Sequence, residues 1–302
     1  MPSYLCKAIE NPDATTALRK MLRNSVVSRH TQRAYLTAFD DLFELAAGRP
    51  ISRMILMGYR ASMIAEGLSA ATMNQRLCAI RKLVNEAREN GLIDPAEAVR
   101  ITSVCRVPQN GVRLGNWLTP EETRRLLATV DRTELIGKRN FAILSVLCHC
   151  AQCRDELAKL DMCLIQQRDG RWVIADLIGK RCRVRTVPIP PAAKDAMDEW
   201  TLAAGITSGP IFPRMRKDGA ITDDALSAWS VWDVVVKTAQ AAGIDHLGPH
   251  DLRRTCAKLC RRADGDLEQV QMLLGHEDLS TTARYLGSAQ QIQNAINDRI
   301  AL

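Results

Sequence analysis

The chain has 302 residues, of which 46% are hydrophobic and 25% are charged, and its formal net charge at pH 7 is +7. This length suits two domains, and the composition is ordinary for a folded globular protein. No uninterrupted apolar run reaches the length of a transmembrane helix, so we expect no membrane-spanning segment and no membrane partner. The first residues lack a charged region followed by an apolar core, so we expect no secretory signal and a cytoplasmic protein. The positive charge suits a polyanionic partner without identifying one.

The N-terminal third is patterned as helix. We interpret residues 1–24, which are weakly patterned, as an N-terminal arm or a short helix. Residues 25–101 predict an all-helical domain, because apolar side chains recur there at intervals of three and four. Its helices are predicted over 31–45, 52–66 and 72–90. Glycines at 67 and 91 are typical of the ends of the second and third helices.

The remainder is mixed. Residues 102–116 are rich in turn formers and predict an interdomain linker. Residues 117–302 combine helices with a β-hairpin, whose strands 171–175 and 184–189 are separated by a turn at Gly179-Lys180. Helices are predicted over 120–129, 138–150, 154–160, 191–203, 223–242, 250–262, 266–274 and 280–285. The expected fold is mainly α with a small antiparallel β-sheet, in two domains: an all-helical N-terminal domain and a mixed α+β C-terminal domain.

A cluster of cysteines has the look of a metal site. Cys150 and Cys153 form a CxxC pair, with Cys148, His149 and Cys163 close in sequence. A structural zinc site usually needs a second well-spaced pair. Because these cysteines continue an apolar helical run, we interpret them as small buried residues of a helix and expect no metal and no cofactor. A zinc-dependent regulator stays a remote alternative.

Four residue types that act on phosphodiesters are collected near the C-terminus and in the hairpin. His250 and Arg253 are three residues apart, so they share one helical face. His276 follows a glycine at a helix end, and Tyr285 comes nine residues later. Lys180 lies at the hairpin turn, where a flexible cation can reach outward.

The chemistry of phosphodiester transfer explains why these types would be gathered. Attack by a phenol oxygen creates a five-coordinate phosphorus centre with added negative charge. Arginine and histidine stabilise that charge without a metal, and a lysine can protonate the departing 5′ oxygen. A covalent bond to tyrosine conserves the energy of the broken bond, so that the strand can be rejoined without ATP.

In this order and spacing, the motifs resemble those of the tyrosine recombinase, or phage integrase, family. The HxxR motif matches His250 and Arg253, the Leu-Gly-His motif ends at His276, and the tyrosine motif matches Tyr285. The segment 179–188 resembles the family's lysine hairpin, and 31–95 resembles its helical core-binding domain. The catalytic residues that the resemblance implies are Lys180, His250, Arg253, His276 and, as nucleophile, Tyr285.

The resemblance also implies a mode of action. Residues 25–101 would be a core-binding domain and 117–302 a catalytic domain, which together close around double-stranded DNA. Cleavage would proceed through a 3′-phosphotyrosine, with strand exchange in a homotetramer, for integration, excision or resolution of DNA. A type IB topoisomerase shares this chemistry and is a further alternative.

One expected residue departs from the family pattern. The family has a first arginine three residues before the Glu-Leu that occurs here at Glu156-Leu157, and this chain has Cys153 in that place. Either Arg154, one residue late, serves as a tentative catalytic residue, or the first arginine is lost. Neighbouring helix positions point about 100° apart, so a slip requires the backbone to adjust. If the arginine is lost, the alternative function is a DNA-binding protein of the same fold with impaired cleavage.

The resemblance places the DNA contacts of the core-binding domain on its first and third helices. Basic side chains there would contact phosphates, and amides could read base edges; a solvated helix face is the alternative. The candidates are Arg29, Thr31, Tyr35, Thr72, Asn74, Arg76 and Lys82. A tail helix with Ile292, Ile296 and Ile300 on one stripe would dock on a neighbouring protomer or on its own domain.

Overall fold

A computed structural model describes residues 12–108, 116–179, 183–216 and 218–287. The chain divides into two compact units, residues 1–111 and 112–302. Each unit has a hydrophobic core of its own, and each is described here by itself.

The first unit is helical in all its described parts. Its helices are α1 (Pro12–Asn24), α2 (Arg29–Ala46), α3 (Arg53–Ala65), α4 (Ala70–Glu89) and α5 (Pro95–Thr102). The helices α2, α3 and α4 each begin after a serine whose hydroxyl oxygen accepts a hydrogen bond from the backbone N–H of the third helical residue. These caps satisfy donors that a helix start leaves unpaired. The three predicted helices are therefore confirmed, each within two residues at either end.

Of the two predictions for the N-terminal residues, an arm or a short helix, residues 12–24 form the helix α1. Ala14, Leu18 and Leu22 recur at intervals of four, and all three are buried in the helical core. Burial of each leucine side chain stabilises the fold by about 1.5–3 kcal/mol. Residues 12–24 are thus part of the helical unit; residues 1–11 lie outside the described residues.

The helical unit also extends further than predicted at its other end. Asp94 caps α5, and beyond that helix Val104 is buried in the core. The side chain of Asn74 donates to the carbonyl of Val107 and accepts from its N–H, both at 2.9 Å. The predicted linker began at Thr102, but residues up to Val107 are packed on the helical unit. The residues 109–115 lie outside the described part.

The second unit combines helices with two small antiparallel sheets. Its helices are α6 (Pro120–Ala128), α7 (Leu135–Cys150), α8 (Arg154–Ala158), α9 (Pro191–Ala204), α10 (Ala228–Ala241), α11 (Pro249–Arg262), α12 (Leu267–Leu274) and α13 (Leu279–Leu286). Its strands are β1 (Ile165–Arg168), β2 (Arg171–Ile178), β3 (Val184–Pro188), β4 (Pro213–Met215) and β5 (Ile221–Ala225). The first sheet has the order β1-β2-β3, and β4 pairs with β5 in the second. A capping box at Thr119 begins α6 as the sequence predicts.

The core of this unit is built around α7, which packs against α9 and α11. Trp200 on α9 is fully buried, and its indole N–H donates to the carbonyl of Ile211 at 2.7 Å. On the sheet, Ile174 of β2 is paired with Val187 of β3, and both side chains are buried. The β2–β3 hairpin is therefore packed into the core through Ile174 and Val187.

One predicted helix is partly wrong. Residues 223–242 were expected to be a single helix, but 223–225 belong to β5, and the helix begins only at Ala228 after the cap Ser227. The register pairs Pro213 with Ala225. Strand pairing between segments distant in sequence overrides the local helical pattern here.

The predicted fold class is confirmed: the chain is mainly α-helical with small antiparallel sheets, in two units. Among the described helices, none combines the length and the apolarity that crossing a lipid bilayer requires.

Candidate active site

A cavity of about 860 Å³ opens in the second unit. Its walls come from the start of α8, the parts of the β2–β3 hairpin on either side of residues 180–182, the start of α11 and the end of α12. His250, Arg253 and His276, three of the predicted catalytic residues, line it together. The structure thus brings to one cavity residues that are separated by up to 26 positions in the sequence.

Arg253 is held by the ends of two helices. It is buried, its Nη1 donates to the carbonyl of Ala151 at 2.5 Å, and its Nη2 donates to the carbonyl of Leu274. Ala151 caps the end of α7 and Leu274 is the last residue of α12. Helix ends have unpaired carbonyls and a partial negative charge, so a guanidinium is stabilised there. The guanidinium is thereby fixed in orientation, with Nη1 also 3.4 Å from Glu156.

His276 is presented by a helix end. Gly275 has φ of +66°, a left-handed conformation that ends α12 and turns the chain toward the cavity. The Nδ1 of His276 lies 3.0 Å from the hydroxyl oxygen of the buried Thr282. Burial, and then the charges of Arg253, His250 and Arg185, lower the pKa of His276 from 6.5 to about 4. The imidazole is therefore neutral at neutral pH.

Tyr285 stands on α13 beside the cavity, between the two histidines. The centroid of its ring is 5.3 Å from that of His250 and 5.3 Å from that of His276, both edge-on. The guanidinium carbon of Arg254 lies 4.7 Å from the ring centroid. The Tyr285 hydroxyl donates to the carbonyl of His250 at 3.2 Å. Burial raises the pKa of Tyr285 to about 12, although Arg253 and Arg254 oppose the shift.

Two further residues of the cavity were not singled out from the sequence. Glu156 on α8 accepts from both Nη atoms of Arg185 on β3, at 2.8 and 2.9 Å, and both side chains are about nine-tenths buried. Arg185, Arg253 and the N–H of Cys153 all surround this carboxylate and lower its pKa against the effect of burial. The sequence does contain a signal for the position of Arg185. It lies two residues before the buried Val187 on β3, so both side chains are on the same, inward face of the strand.

Cys153 and Arg154, the two residues considered for the position of the first arginine, differ in where the structure places them. Cys153 is the residue before α8 and lines the cavity, whereas Arg154 is exposed and is not part of the cavity wall. Burial and the neighbouring Glu156 raise the pKa of the Cys153 thiol, so it is uncharged. Arg154 as a catalytic residue stays a prediction, and its position outside the cavity wall favours the alternative in which the first arginine is lost. The predicted lysine, Lys180, lies outside the described residues.

The predicted DNA contacts of the helical unit differ in their availability. Arg29 and Thr31 lie on the first turn of α2, and Arg29 is exposed. Lys82 is paired with Glu86 at the surface. Asn74 uses both groups of its amide on Val107, which gives it a structural role within the unit; its base contact stays a prediction.

Three other candidates on these helices also have partners within the unit. The guanidinium of Arg76 is 2.7 Å from the carboxylate of Asp41. The hydroxyls of Tyr35 and Thr72 lie 3.5 Å from the Cys78 thiol and 2.8 Å from the Ser69 hydroxyl, respectively. These contacts orient the side chains on the helix surface, and they leave further N–H donors on Arg76 for a phosphate contact.

The cysteine cluster fits its interpretation as buried helix residues only in part, since Cys153 precedes α8 and is only partly buried. Cys148 and Cys150 are buried in α7, and burial raises the pKa of each thiol to about 12. Cys163 is exposed on a separate turn. Within the described residues, no group of three or more metal-ligating side chains is arranged to hold an ion.

Comparison with known proteins agrees with this geometry. Residues 116–291 match the phage integrase family. The tyrosine recombinase XerC of Corynebacterium efficiens is 32% identical over 260 residues, which cover 83% of this chain and 79% of that protein.

Two solved structures are similar in fold. One is a post-cleavage complex of the XerH site-specific recombinase bound to a palindromic difH substrate, with a TM-score of 0.68, 21% identity and coverage of 87% of this chain and 77% of that one. The other is a lambda integrase tetramer bound to a Holliday junction, with a TM-score of 0.67, 18% identity and coverage of 87% and 76%. The family match extends over the cavity and Tyr285. On the grounds of this match and of the XerC similarity, the chain belongs to the phage integrase family, the tyrosine-type site-specific recombinases.

Proposed function

We propose that this chain breaks and rejoins double-stranded DNA at specific sites through a covalent bond between Tyr285 and a 3′-phosphate. The observation that carries the proposal is the position of Tyr285 between His250 and His276, at 5.3 Å from each ring, beside a cavity that contains Arg253. The attack forms a bond from the Tyr285 oxygen to phosphorus and breaks the bond from phosphorus to the 5′ oxygen.

Each side chain has a separate proposed role in this step. Arg253, fixed by two carbonyls, keeps donors for the phosphate oxygens, because a guanidinium has five N–H groups and is always charged. Neutral His276 can accept the phenolic proton or donate to a phosphate oxygen, depending on its tautomer. Lys180 is proposed to protonate the 5′ oxygen as that group leaves. Rejoining reverses these bond and proton transfers, so the proposed reaction requires neither a metal nor an energy source.

DNA binding is proposed to involve both units, and the active form is proposed to be a homotetramer on paired sites. The XerH and lambda integrase structures support this, since the former is bound to a substrate DNA and the latter is a tetramer on a Holliday junction. The predicted tail helix with Ile292, Ile296 and Ile300 lies outside the described residues. We keep the cytoplasm as the expected location.

The cleavage proposal is tested with a trap for the covalent intermediate. The Tyr285→Phe protein, which should bind without cutting, is used to select bound duplexes from random-sequence DNA. A selected duplex is then nicked just downstream of the site, so that cleavage releases a short fragment with a free 5′-hydroxyl and the protein stays attached to the 3′-phosphate. Wild type should give a covalent adduct on a denaturing gel, and Tyr285→Phe should give none while binding with equal affinity.

A second candidate function is favoured by the uncharged Cys153 in the cavity wall. If wild type binds the selected duplex and forms no adduct, the cleavage proposal is overturned. Should Cys153→Arg then form the adduct, the chain is a DNA-binding protein of this fold whose cleavage is impaired by the loss of one arginine.

A further inference from the structure

We propose that Arg185 contacts the scissile phosphate and supplies the cationic donor for which this chain has no arginine at position 153. The inference rests on the proposed function, since it names a further catalytic residue of the same cavity. It starts from the composition of the wall beside Arg253, where an uncharged thiol, Cys153, lies next to the buried pair of Glu156 and Arg185.

The hairpin directs Arg185 into the cavity. Inward-facing positions of β3 alternate, and Arg185 shares its face with the buried Val187. Two glycines make room for the side chain: a β-carbon at Gly179 would lie 3.0 Å from Nη1, and one at Gly275 would lie 3.0 Å from Cδ. Contacts this short are tighter than nearly all real β-carbon contacts, so a larger residue at either glycine would push the Arg185 side chain aside by a few tenths of an ångström. Gly275 precedes His276, which places Arg185 against that histidine's turn.

The guanidinium retains donors for a ligand. Its contacts with Glu156 use one N–H of Nη1 and one of Nη2, out of five N–H groups. The Nε of Arg185 is buried and has no hydrogen-bond partner among the described residues. A buried donor without a partner is unfavourable until an acceptor arrives. A phosphate oxygen in the cavity is an acceptor of the right charge.

The charged side chains of the cavity wall also favour the binding of an anion. Glu156 is shared, because its Oε2 is 2.9 Å from Nη2 of Arg185 and 3.4 Å from Nη1 of Arg253. Arg183, the third guanidinium of the lining, is paired with Glu277 nearer the surface. Among the described residues of the lining, three guanidiniums face two carboxylates, so one positive charge there has no carboxylate of its own in a partly buried site. An uncompensated buried charge is unfavourable, and a phosphodiester bound between Arg185 and Arg253 neutralises it.

The experiment measures the rate of covalent adduct formation on the nicked duplex at saturating protein. Arg185→Ala should slow the adduct about 100–1000-fold, the usual effect of removing one donor to a transition-state oxyanion. Cys153→Arg in the Arg185→Ala background should recover at least about 10-fold, because an arginine at 153 also borders the cavity. The matched control is Arg168→Ala, which removes an arginine of the same sheet that is paired with Asp176 at the surface; its rate should stay within twofold of wild type.

Folding is monitored separately through tryptophan fluorescence, since the five tryptophans all lie in the second unit. If Arg185→Ala is unfolded, Arg185→Lys replaces it: the lysine can still pair with Glu156 but has no Nε–H donor and no planar fork, and the adduct should form at least about 10-fold more slowly. The inference is overturned if folded Arg185→Ala, or Arg185→Lys in its place, forms the adduct at the wild-type rate. The proposed function then stays intact. Failure of Cys153→Arg to recover any rate in a folded double variant also overturns it. Absence of an adduct with wild type overturns the proposed function itself.

Discussion

The imidazole of His276 is surrounded by positive charge. Its Nδ1 is engaged by the hydroxyl of Thr282, and its pKa is lowered first by burial and then by Arg253, His250 and Arg185. A buried threonine whose hydroxyl contacts a histidine ring restricts both its rotation and its tautomer. The residue thus works as a neutral group, which can both give and accept a proton near a phosphate.

This lowered pKa predicts an acid-dependent loss of stability. In the unfolded chain His276 binds a proton near pH 6.5, whereas in the folded chain it does so only near pH 4. The unfolded chain therefore holds more protons between these values, and stability falls as the pH falls through this window. Because the side chain is only about half-buried, we expect about 1–2 kcal/mol, discounted for solvent screening.

Denaturant unfolding followed by tryptophan fluorescence checks this prediction. Wild type should lose about 1–2 kcal/mol more than His276→Gln between pH 6.5 and pH 4, because the variant lacks the titrating group. Other titrating groups contribute equally to both proteins and cancel in the comparison. Parallel pH profiles for the two proteins would contradict the assigned pKa.

At the scale of elements, the helical unit is tied to the segment that follows it. Asn74 on α4 bridges the N–H and the carbonyl of Val107, and Arg81 on the same helix donates to the carbonyls of Thr102 and Val104. These bonds fold the chain after α5 back onto α4. The segment is therefore ordered by side chains of a helix and not by a secondary structure of its own.

Replacement of Asn74 tests this assignment. Asn74→Ala should lower the free energy of unfolding of the helical unit by about 1–3 kcal/mol, since it leaves two backbone groups without partners. Circular dichroism would detect this change, while tryptophan fluorescence, which reports the other unit, should show an unchanged transition. Gln75→Ala, which removes an exposed neighbouring amide, is the control and should have little effect. A loss of DNA affinity without loss of stability would favour Asn74 as a DNA contact.

Local patterns predicted most helices because caps and apolar spacing are encoded within a few residues. Ser28, Ser52, Ser69 and Thr119 all begin helices where the sequence indicates. The strands β4 and β5 were missed, since their pairing joins Pro213 to Ala225 across a loop and has little local signal. The weakly patterned helix α1 was predicted only as an arm or a short helix, because what stabilises it is burial against α2 and α4.

At the scale of the whole molecule, a net charge of +7 predicts binding to DNA that weakens with salt. Each phosphate that a basic side chain neutralises releases counterions, so the logarithm of affinity falls with the logarithm of salt concentration by about 0.9 per contact. If exposed Arg29 contacts a phosphate, Arg29→Ala should reduce this slope by about one.

The measurement is fluorescence anisotropy with the selected duplex at several salt concentrations. Arg88→Ala is the matched control in the same unit: Arg88 is at the opposite end of α4 from Thr72, about 24 Å along the helix axis. Its slope should equal that of wild type. Equal slopes for Arg29→Ala and wild type would remove Arg29 from the interface.

The composition of the active site could be predicted only in part. His250, Arg253, His276 and Tyr285 stand in recognisable motifs, and the structure places all four together. The role of Glu156 as a shared carboxylate depends on three segments meeting in space, and no spacing within one segment expresses it. The choice between Cys153 and Arg154 depended likewise on which way the chain enters α8.

The hydrogen bond from the Tyr285 hydroxyl to the His250 carbonyl has a consequence for the proposed activity on DNA that lacks the target site. With a pKa of about 12, roughly one Tyr285 in 10⁵ is ionised at pH 7. If Tyr285 is the nucleophile, as we propose, its hydroxyl is kept protonated and donates to a backbone oxygen that no side-chain substitution removes. We expect Tyr285 to become reactive only when a bound phosphate beside Arg253 draws the hydroxyl away from that carbonyl.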